Sequence, residues 1–254
     1  MLNYWIFKMP PYEELGQQEV QHVAPADGCV SIVLMDRKPQ LFKMALVTGP
    51  TTDMIRTVVQ PDTIYLGIRF VPGMFCAVFD VKDIDLKNQK FPAQHLLPYL
   101  DLQPLLQHLY FDFKDFGLID DFLLNLLAQH PPVRYDEEVN RAVQLIMASA
   151  GGVLVKRVLE NACLSERQLQ KRFKRSTYLS MKELAKICRL HQTIIKVHLE
   201  NKSISDAVYE SGFFDQAHYN HNFYQSTGRK PEEFYKYISR IKHVDVKPVS
   251  KNEN

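Results

Sequence analysis

The stretch Gly212–Pro231, GFFDQAHYNHNFYQSTGRKP, sets Gln, His and Asn side chains between regularly spaced aromatics. Residues Asp215–Ser226 contain no Lys, Arg or Glu, the side chains that ordinarily solvate an exposed helix face. A metal site, a solvated face and a surface that reads a polar partner all use such residues. His218 and His221 stand three apart and could share an ion on a helix. Neither has a Cys or carboxylate at i+4, and zinc takes four ligands. Asp215 is better placed to cap the helix that follows it. No metal site is expected, and the reading surface is the stronger interpretation.

A shift of fifty positions superimposes this segment on an earlier one. Ser165 falls on Asp215, Leu169 on Tyr219 and Phe173 on Phe223. The first pair are both good N-caps. The others lie at i, i+4 and share one buried helix face. The opposite face collects Glu166, Arg167, Gln170, Lys171 and Lys174 in the first copy, and Gln216, Ala217, Asn220, His221 and Tyr224 in the second. A shorter helix and a tight turn precede each copy, VLVKRVLENACL and ISDAVYESGFF. The unit is a helix-turn-helix, present twice, with Met181–Leu199 between. Arg and Lys match guanine O6 and N7, and Asn and Gln match adenine N6 and N7, so these faces suit base edges.

The whole segment after Asp136 reads as helix: Asp136–Ala148, Val153–Asn161, Ser165–Arg175, Met181–Leu199, Ile204–Ser211, Asp215–Ser226 and Pro231–Ile241, punctuated by Gly151-Gly152, Gly212 and Gly228. Upstream, the runs Cys29–Met35, Leu41–Val47, Thr57–Val59 and Ile64–Phe70 alternate with turn signals and read as strands. Leucines at helical spacing follow from Leu96 to Leu109, then a helix over Asp120–Ala128. The expected fold is α+β: an N-terminal small antiparallel β barrel or sandwich with helices, and a C-terminal all-α region of two helix-turn-helix units joined by a long helix. QHPPVRY (Gln129–Tyr135) cannot continue a helix. The expected domains are 1–130 for sensing or dimerisation, a linker at 131–135, a DNA-binding domain at 136–243 and a flexible tail at 244–254.

Charge divides along the same line. Residues 1–135 carry eleven Lys and Arg against fifteen Asp and Glu, whereas residues 136–243 carry eighteen against twelve. The basic half suits a polyanion. The four cysteines, Cys29, Cys76, Cys163 and Cys188, are scattered without a CxxC, as in a reducing compartment. No apolar run reaches the roughly 18–20 residues of a membrane helix, and the opening MLNYWIFKMPPYEELG is not a targeting peptide. The expected location is cytoplasmic, with no membrane partner.

Residues 136–243 resemble the DNA-binding domain of AraC/XylS-family transcription regulators. Gly212, Phe213, Asp215, Gln216, His218, Phe223, Gly228, Pro231 and Phe234 or Tyr235 carry the match in the second unit. CLSERQLQKRFKRSTYLS carries it in the first. More weakly, PADGCVSIVLM, VTGP and IRFVPGMF resemble the sensor-like domain, of the PDGC type, that precedes some of these regulators. The resemblance implies a one-component regulator whose two units enter adjacent major grooves. By position it implies base-edge contacts from Arg167, Gln170 and Lys171 in the first unit, and from Gln216, Ala217, Asn220 and His221 in the second. Lys174, Arg175, Arg172, Lys156 and Arg157 are candidates for phosphate. The sequence departs from the family where Ala162-Cys163 replaces a Gly, so that Cys163 or a neighbour is expected to take a strained turn. Tyr178 replaces a second Gly, Met181 a Pro and His221 a basic residue. These departures motivate an alternative reading, a protein-interaction module with drifted, weakly DNA-binding units.

An enzyme is not expected. The N-terminal histidines His22, His95, His108 and His130 are dispersed, with no HxH pair, Gly-x-Ser-x-Gly or phosphate-binding Gly loop. No catalytic residue and no cofactor is assigned. Asp27-Gly28-Cys29 reads as a turn leading into a buried strand. Alternation places Arg69 opposite Ile68 and Phe70, and it reads as an outward residue, with a buried cation awaiting an anion as the alternative. The expected partners are double-stranded DNA and a second copy of the chain, paired through the 96–109 and 120–128 helices, with RNA polymerase a further candidate. The small-molecule effector is not legible.

Overall fold

In a computed structural model of the chain, the described residues are 2–16, 19–37, 42–79, 81, 84–109, 116–129, 135–160, 162–213, 215–238 and 244–248. The N-terminal region contains β1 (Leu2–Lys8), α1 (Tyr12–Leu15), β2 (Val20–Ala24), β3 (Val30–Arg37), β4 (Phe42–Thr48), β5 (Ile55–Val59) and β6 (Thr63–Phe70). It continues through α2 (Met74–Val78), β7 (Lys90–Pro92), α3 (Ala93–Leu96), α4 (Gln103–Gln107) and α5 (Phe116–Gln129). The C-terminal region contains α6 (Glu137–Ala148), α7 (Val155–Glu160), α8 (Glu166–Thr177) and α9 (Met181–His198), then α10 (Ile204–Glu210), α11 (Gln216–Thr227), α12 (Pro231–Ile238) and β8 (Val244–Pro248).

The strands form an antiparallel sheet of order β7-β4-β3-β6-β1-β8 and a separate β2-β5 ribbon. Of the expected barrel or sandwich, the barrel is not formed: the strands make an open sheet and a ribbon. Period-2 alternation sorts the side chains. Tyr4, Ile6, Ile32, Leu34, Leu66, Ile68 and Phe70 are buried in one core with residues of α2–α5. Full burial of each such apolar side chain stabilises by about 1.5–3 kcal/mol. Tyr4 Oη donates to Asp120 Oδ1 at 2.5 Å, tying β1 to α5. Lys43 Nζ donates to the Leu106 carbonyl at 2.6 Å, tying β4 to α4. The other phase of alternation carries Trp5, Phe7, Tyr65 and Arg69, with Phe7 stacked on His22 of the ribbon at 4.7 Å. Gly67 lies beneath Trp5, where a Cβ would overlap the indole.

Three strands are additional to the sequence reading, β1, β2 and β7. A fourth replaces an expectation: residues 244–248, read as flexible tail, pair antiparallel with β1 as β8. The proposed linker residues 131–134, residues 239–243 and the tail residues 249–254 lie outside the described residues. No helix among the described residues is long and apolar enough to cross a membrane.

Arg69 is a correction. Its guanidinium pairs with Asp27 Oδ2 at 2.8 Å on a partly buried side chain, and its Nε is buried without a partner among the described residues. Asp27 also accepts from the Cys29 amide at 3.1 Å, which fixes the turn before β3. This turn abuts α9. A Cβ on Gly28 would approach Leu184 Cδ1 to 2.8 Å, and His191 Nε2 lies 2.6 Å from the Ala26 carbonyl. A carbonyl only accepts, so Nε2 carries the proton. Burial holds the Cys29 thiol well above its usual range, with Asp27 adding to the effect, and burial pushes Cys188 on α9 up to about 11.

The cores interlock. Ala26 and Val71 from the N-terminal region are buried in the core of α6–α9, and Tyr178 from the C-terminal region is buried in the sheet core. A third cluster gathers Leu190, Val208, Phe213, Tyr219, Phe223 and Phe234.

Candidate nucleic-acid interface

The two fifty-residue copies fold alike. Ser165 caps α8, accepting from the Gln168 amide while the Gln168 side chain bonds back, a complete capping box. Asp215 caps α11, accepting from the His218 amide at 2.6 Å. Leu169, Phe173, Tyr219 and Phe223 are all fully buried. The likeness runs one turn farther than the aromatic spacing indicates. Thr177 Oγ1 donates to the Phe173 carbonyl at 2.8 Å and accepts from the Leu179 amide at 3.2 Å. Thr227 repeats both bonds, to Phe223 at 2.8 Å and from Arg229 at 3.3 Å.

The departures resolve structurally. Tyr178 at the C-cap of α8 has φ 63°, matching Gly228 at φ 62° after α11. The first unit therefore ends as the second does. A non-Gly residue pays roughly 1–2 kcal/mol in that conformation. The Tyr178 ring is buried in the sheet core and its hydroxyl lies 3.1 Å from Cys76 Sγ, which offsets the cost. Neither Ala162 nor Cys163 has a positive φ, and the neighbouring Asn161 lies outside the described residues. The Cys163 amide donates to Glu138 Oε2 at 3.2 Å.

The base-edge candidates are all exposed: Arg167, Gln170 and Lys171 on α8, and Gln216, Ala217, Asn220 and His221 on α11. On α8, Arg167, Lys171 and Lys174 recur at i, i+4 and i+7, a single cationic stripe. Gln170 Nε2 donates to Glu166 Oε1 at 2.9 Å, a contact that it must exchange to meet a base. The phosphate candidates divide. Lys174 and Arg175 are exposed in the last turn of α8. Arg172 is committed to Asp136, Nε to Oδ2 at 2.7 Å, and so fixes α8 against the start of α6. Lys156 lies 3.9 Å from Glu160, and Arg157 is exposed on the same short helix.

One residue was missed by sequence reasoning. Lys186 on α9 donates to Gln225 Oε1 at 3.1 Å, and Gln225 Nε2 lies 2.8 Å from His221 Nε2. A cation from the connecting helix thus stands beside α11, which carries none of its own. Its signal was position in space, four residues before Leu190 on the neighbouring helix, and no local motif marks it.

Residues 158–237 match the family described as "Helix-turn-helix domain", and residues 2–92 match a "Domain of unknown function (DUF6597)". No curated protein matches the chain. Among solved structures, the chain is similar to ToxT from Vibrio cholerae O395 at 11% identity, covering 95% of this chain and 98% of that one, with TM-score 0.46. It is similar to the C-terminal domain of AraT, a response regulator from Geobacillus stearothermophilus, at 17% identity over 47% of this chain and 96% of that one, TM-score 0.38. The xylose-binding transcription activator xylR is 20% identical over 46% of this chain and 37% of that one, TM-score 0.36. Residues 158–237, from within α7 to α12, are therefore a helix-turn-helix domain.

Proposed function

We propose that the chain is a sequence-specific DNA-binding transcription regulator of the AraC/XylS kind, with α8 and α11 entering adjacent major grooves about one DNA turn apart. The observation that carries the reading is the duplicated, capped helix with a buried aromatic stripe and an exposed face of hydrogen-bonding side chains. Arg167, Gln170, Lys171, Gln216, Ala217, Asn220 and His221 meet base edges. Lys174 and Arg175 meet phosphate, with Lys156 and Arg157 beside them, while Arg172 acts through its bond to Asp136. The two units do different work: α8 supplies charge, whereas α11 reads through neutral side chains with Lys186 at its flank.

In the same proposal, residues 1–130 sense a signal or dimerise, and 136–243 bind DNA in the cytoplasm, with RNA polymerase a further partner. The partly buried sheet face of Trp5, Phe7 and Tyr65 supports sensing, because Trp5 Nε1 and Arg69 Nε are buried there without protein partners. Leu124 on α5 and Tyr99 in the turn between α3 and α4, both exposed, are apolar residues of the proposed dimer surface open to a second copy. The drifted interaction-module reading loses its motive at Tyr178, where the helix ending is preserved. Selection from a random DNA pool by the purified full chain tests the function. An enriched motif spanning two adjacent grooves is expected, and no enrichment at low salt would overturn it.

A further inference from the structure

Helix α11 carries no Lys or Arg, yet a cation reaches it from α9. Lys186 Nζ donates to Gln225 Oε1 at 3.1 Å, and Gln225 Nε2 lies 2.8 Å from His221 Nε2, one turn back on α11. Lys186 has no carboxylate partner among the described residues, so its charge arrives unneutralised.

The order of these three groups leaves one arrangement of hydrogens. An ammonium only donates, so the amide atom facing Lys186 is the oxygen. The amide nitrogen therefore faces His221, and it too only donates. Nε2 of His221 must accept, which puts the ring proton on Nδ1. Nδ1 has no partner among the described residues, and His221 is exposed with Gln216, Ala217 and Asn220. The ring thus offers one unsatisfied donor, Nδ1–H.

We propose that Lys186 and Gln225 are positioning residues that decide what His221 reads. Held in the Nδ1–H form, His221 selects a hydrogen-bond acceptor such as guanine N7 or O6 at one base in the second groove. The opposite tautomer would present a bare nitrogen and select a donor, adenine N6 or cytosine N4. A residue of the connecting helix therefore sets part of the sequence choice of α11 without touching a base. The tautomer rests on the relay alone, whereas its effect on sequence choice rests on the reading of α11 as a DNA-contacting helix.

The test uses the full chain labelled with 15N-histidine, with the His221 ring assigned through His221→Gln. Two-bond 1H–15N spectra are recorded at about pH 8.5, well above the ordinary imidazole pKa of about 6.5. The wild type and Lys186→Arg should show His221 mainly as Nδ1–H. Gln225→Glu, whose carboxylate only accepts, should place a proton on Nε2. Lys186→Met and Gln225→Met should both lose the excess of Nδ1–H, with melting unchanged. Random-pool selection then reads the consequence. Lys186→Arg should keep the wild-type motif. Gln225→Met keeps the lysine charge, yet it should reduce preference roughly fivefold at one base pair of the second groove, the share of one hydrogen bond. An Nε2–H ring in the wild type, or a tautomer indifferent to both Met variants, would overturn the relay. Unchanged preference in Gln225→Met beside a clear wild-type motif would overturn the effect on specificity and leave the DNA reading intact. No motif from the wild type would overturn the DNA reading and with it the effect on sequence choice, while the spectra still decide the tautomer.

Discussion

The hydroxyl of Tyr178 lies 3.1 Å from Cys76 Sγ, so a left-handed helix cap in one region is held by a thiol in the other. Burial, with Cys76 adjacent, raises the Tyr178 phenol far above its usual range, and it remains a neutral hydroxyl. Backbone strain and side-chain burial oppose each other at this position, and substitutions separate them. Tyr178→Ala and Tyr178→Gly both lose the buried ring, a loss of roughly 3–5 kcal/mol. Alanine alone keeps the left-handed penalty, so it should be the less stable variant by about 1 kcal/mol. Urea denaturation of the pair measures the difference. Equal stabilities would show that the backbone relaxes once the ring is gone.

On α8, Gln170→Ala and Lys171→Ala should each cost about 1–3 kcal/mol at the preferred site and relax preference at one or two base pairs. Their melting should match wild type, because both side chains are exposed. Lys174→Ala should weaken all sequences alike and reduce the slope of log affinity against log salt by about one. Equilibrium titrations on a matched and a scrambled duplex, at several salt concentrations, distinguish the classes. If Gln170→Ala and Lys171→Ala left affinity and preference untouched, this face would not be in the groove.

Phe223→Ala should instead remove a fully buried aromatic from the α11 core at a cost of roughly 3–5 kcal/mol. DNA binding should fall together with thermal stability. A variant that melts normally while losing DNA would place Phe223 at the interface and not in the core.

His191 makes the junction of the two regions sensitive to acid. Burial holds its pKa below the ordinary value, against the opposing pull of Asp27 and its bond to Ala26. The unfolded chain then takes up the proton first as pH falls below about 6.5, and the folded state does not. The stability contributed is present above that pH and is lost on acidification, by up to about 1.4 kcal/mol per pH unit until the folded-state value is reached. Denaturation midpoints between pH 7.5 and 5 should fall for wild type and fall less for His191→Gln. Parallel curves would assign the acid sensitivity to other groups.

The helical half was legible because its signal is local. Ser165, Leu169 and Phe173, with their counterparts Asp215, Tyr219 and Phe223, define cap and buried face by spacing alone. The first strand was not. In LNYWIFK both phases of the alternation are apolar, Tyr4 and Ile6 against Trp5 and Phe7, so the period of two is hidden. Tyr178 was read as a departure because its compensation comes from a core more than a hundred residues away in sequence. Arg69 was misread for the same reason, since its partner Asp27 stands on a distant turn that α9 holds in place. The open sheet was beyond pattern reading altogether: strand number is local, but closure depends on which edges meet.

Pairing of β8 with β1 sets a leash on the helical half. Helix α12 ends at Ile238 and β8 begins at Val244. Six peptide steps extend at most ~20 Å, at roughly 3.3–3.6 Å per residue. While that strand pair holds, the end of α12 cannot travel beyond this radius from the sheet edge. Any larger excursion of the second unit along a duplex must first unzip the last strand. The β1–β8 ladder is therefore a ruler for interdomain travel as well as a piece of sheet.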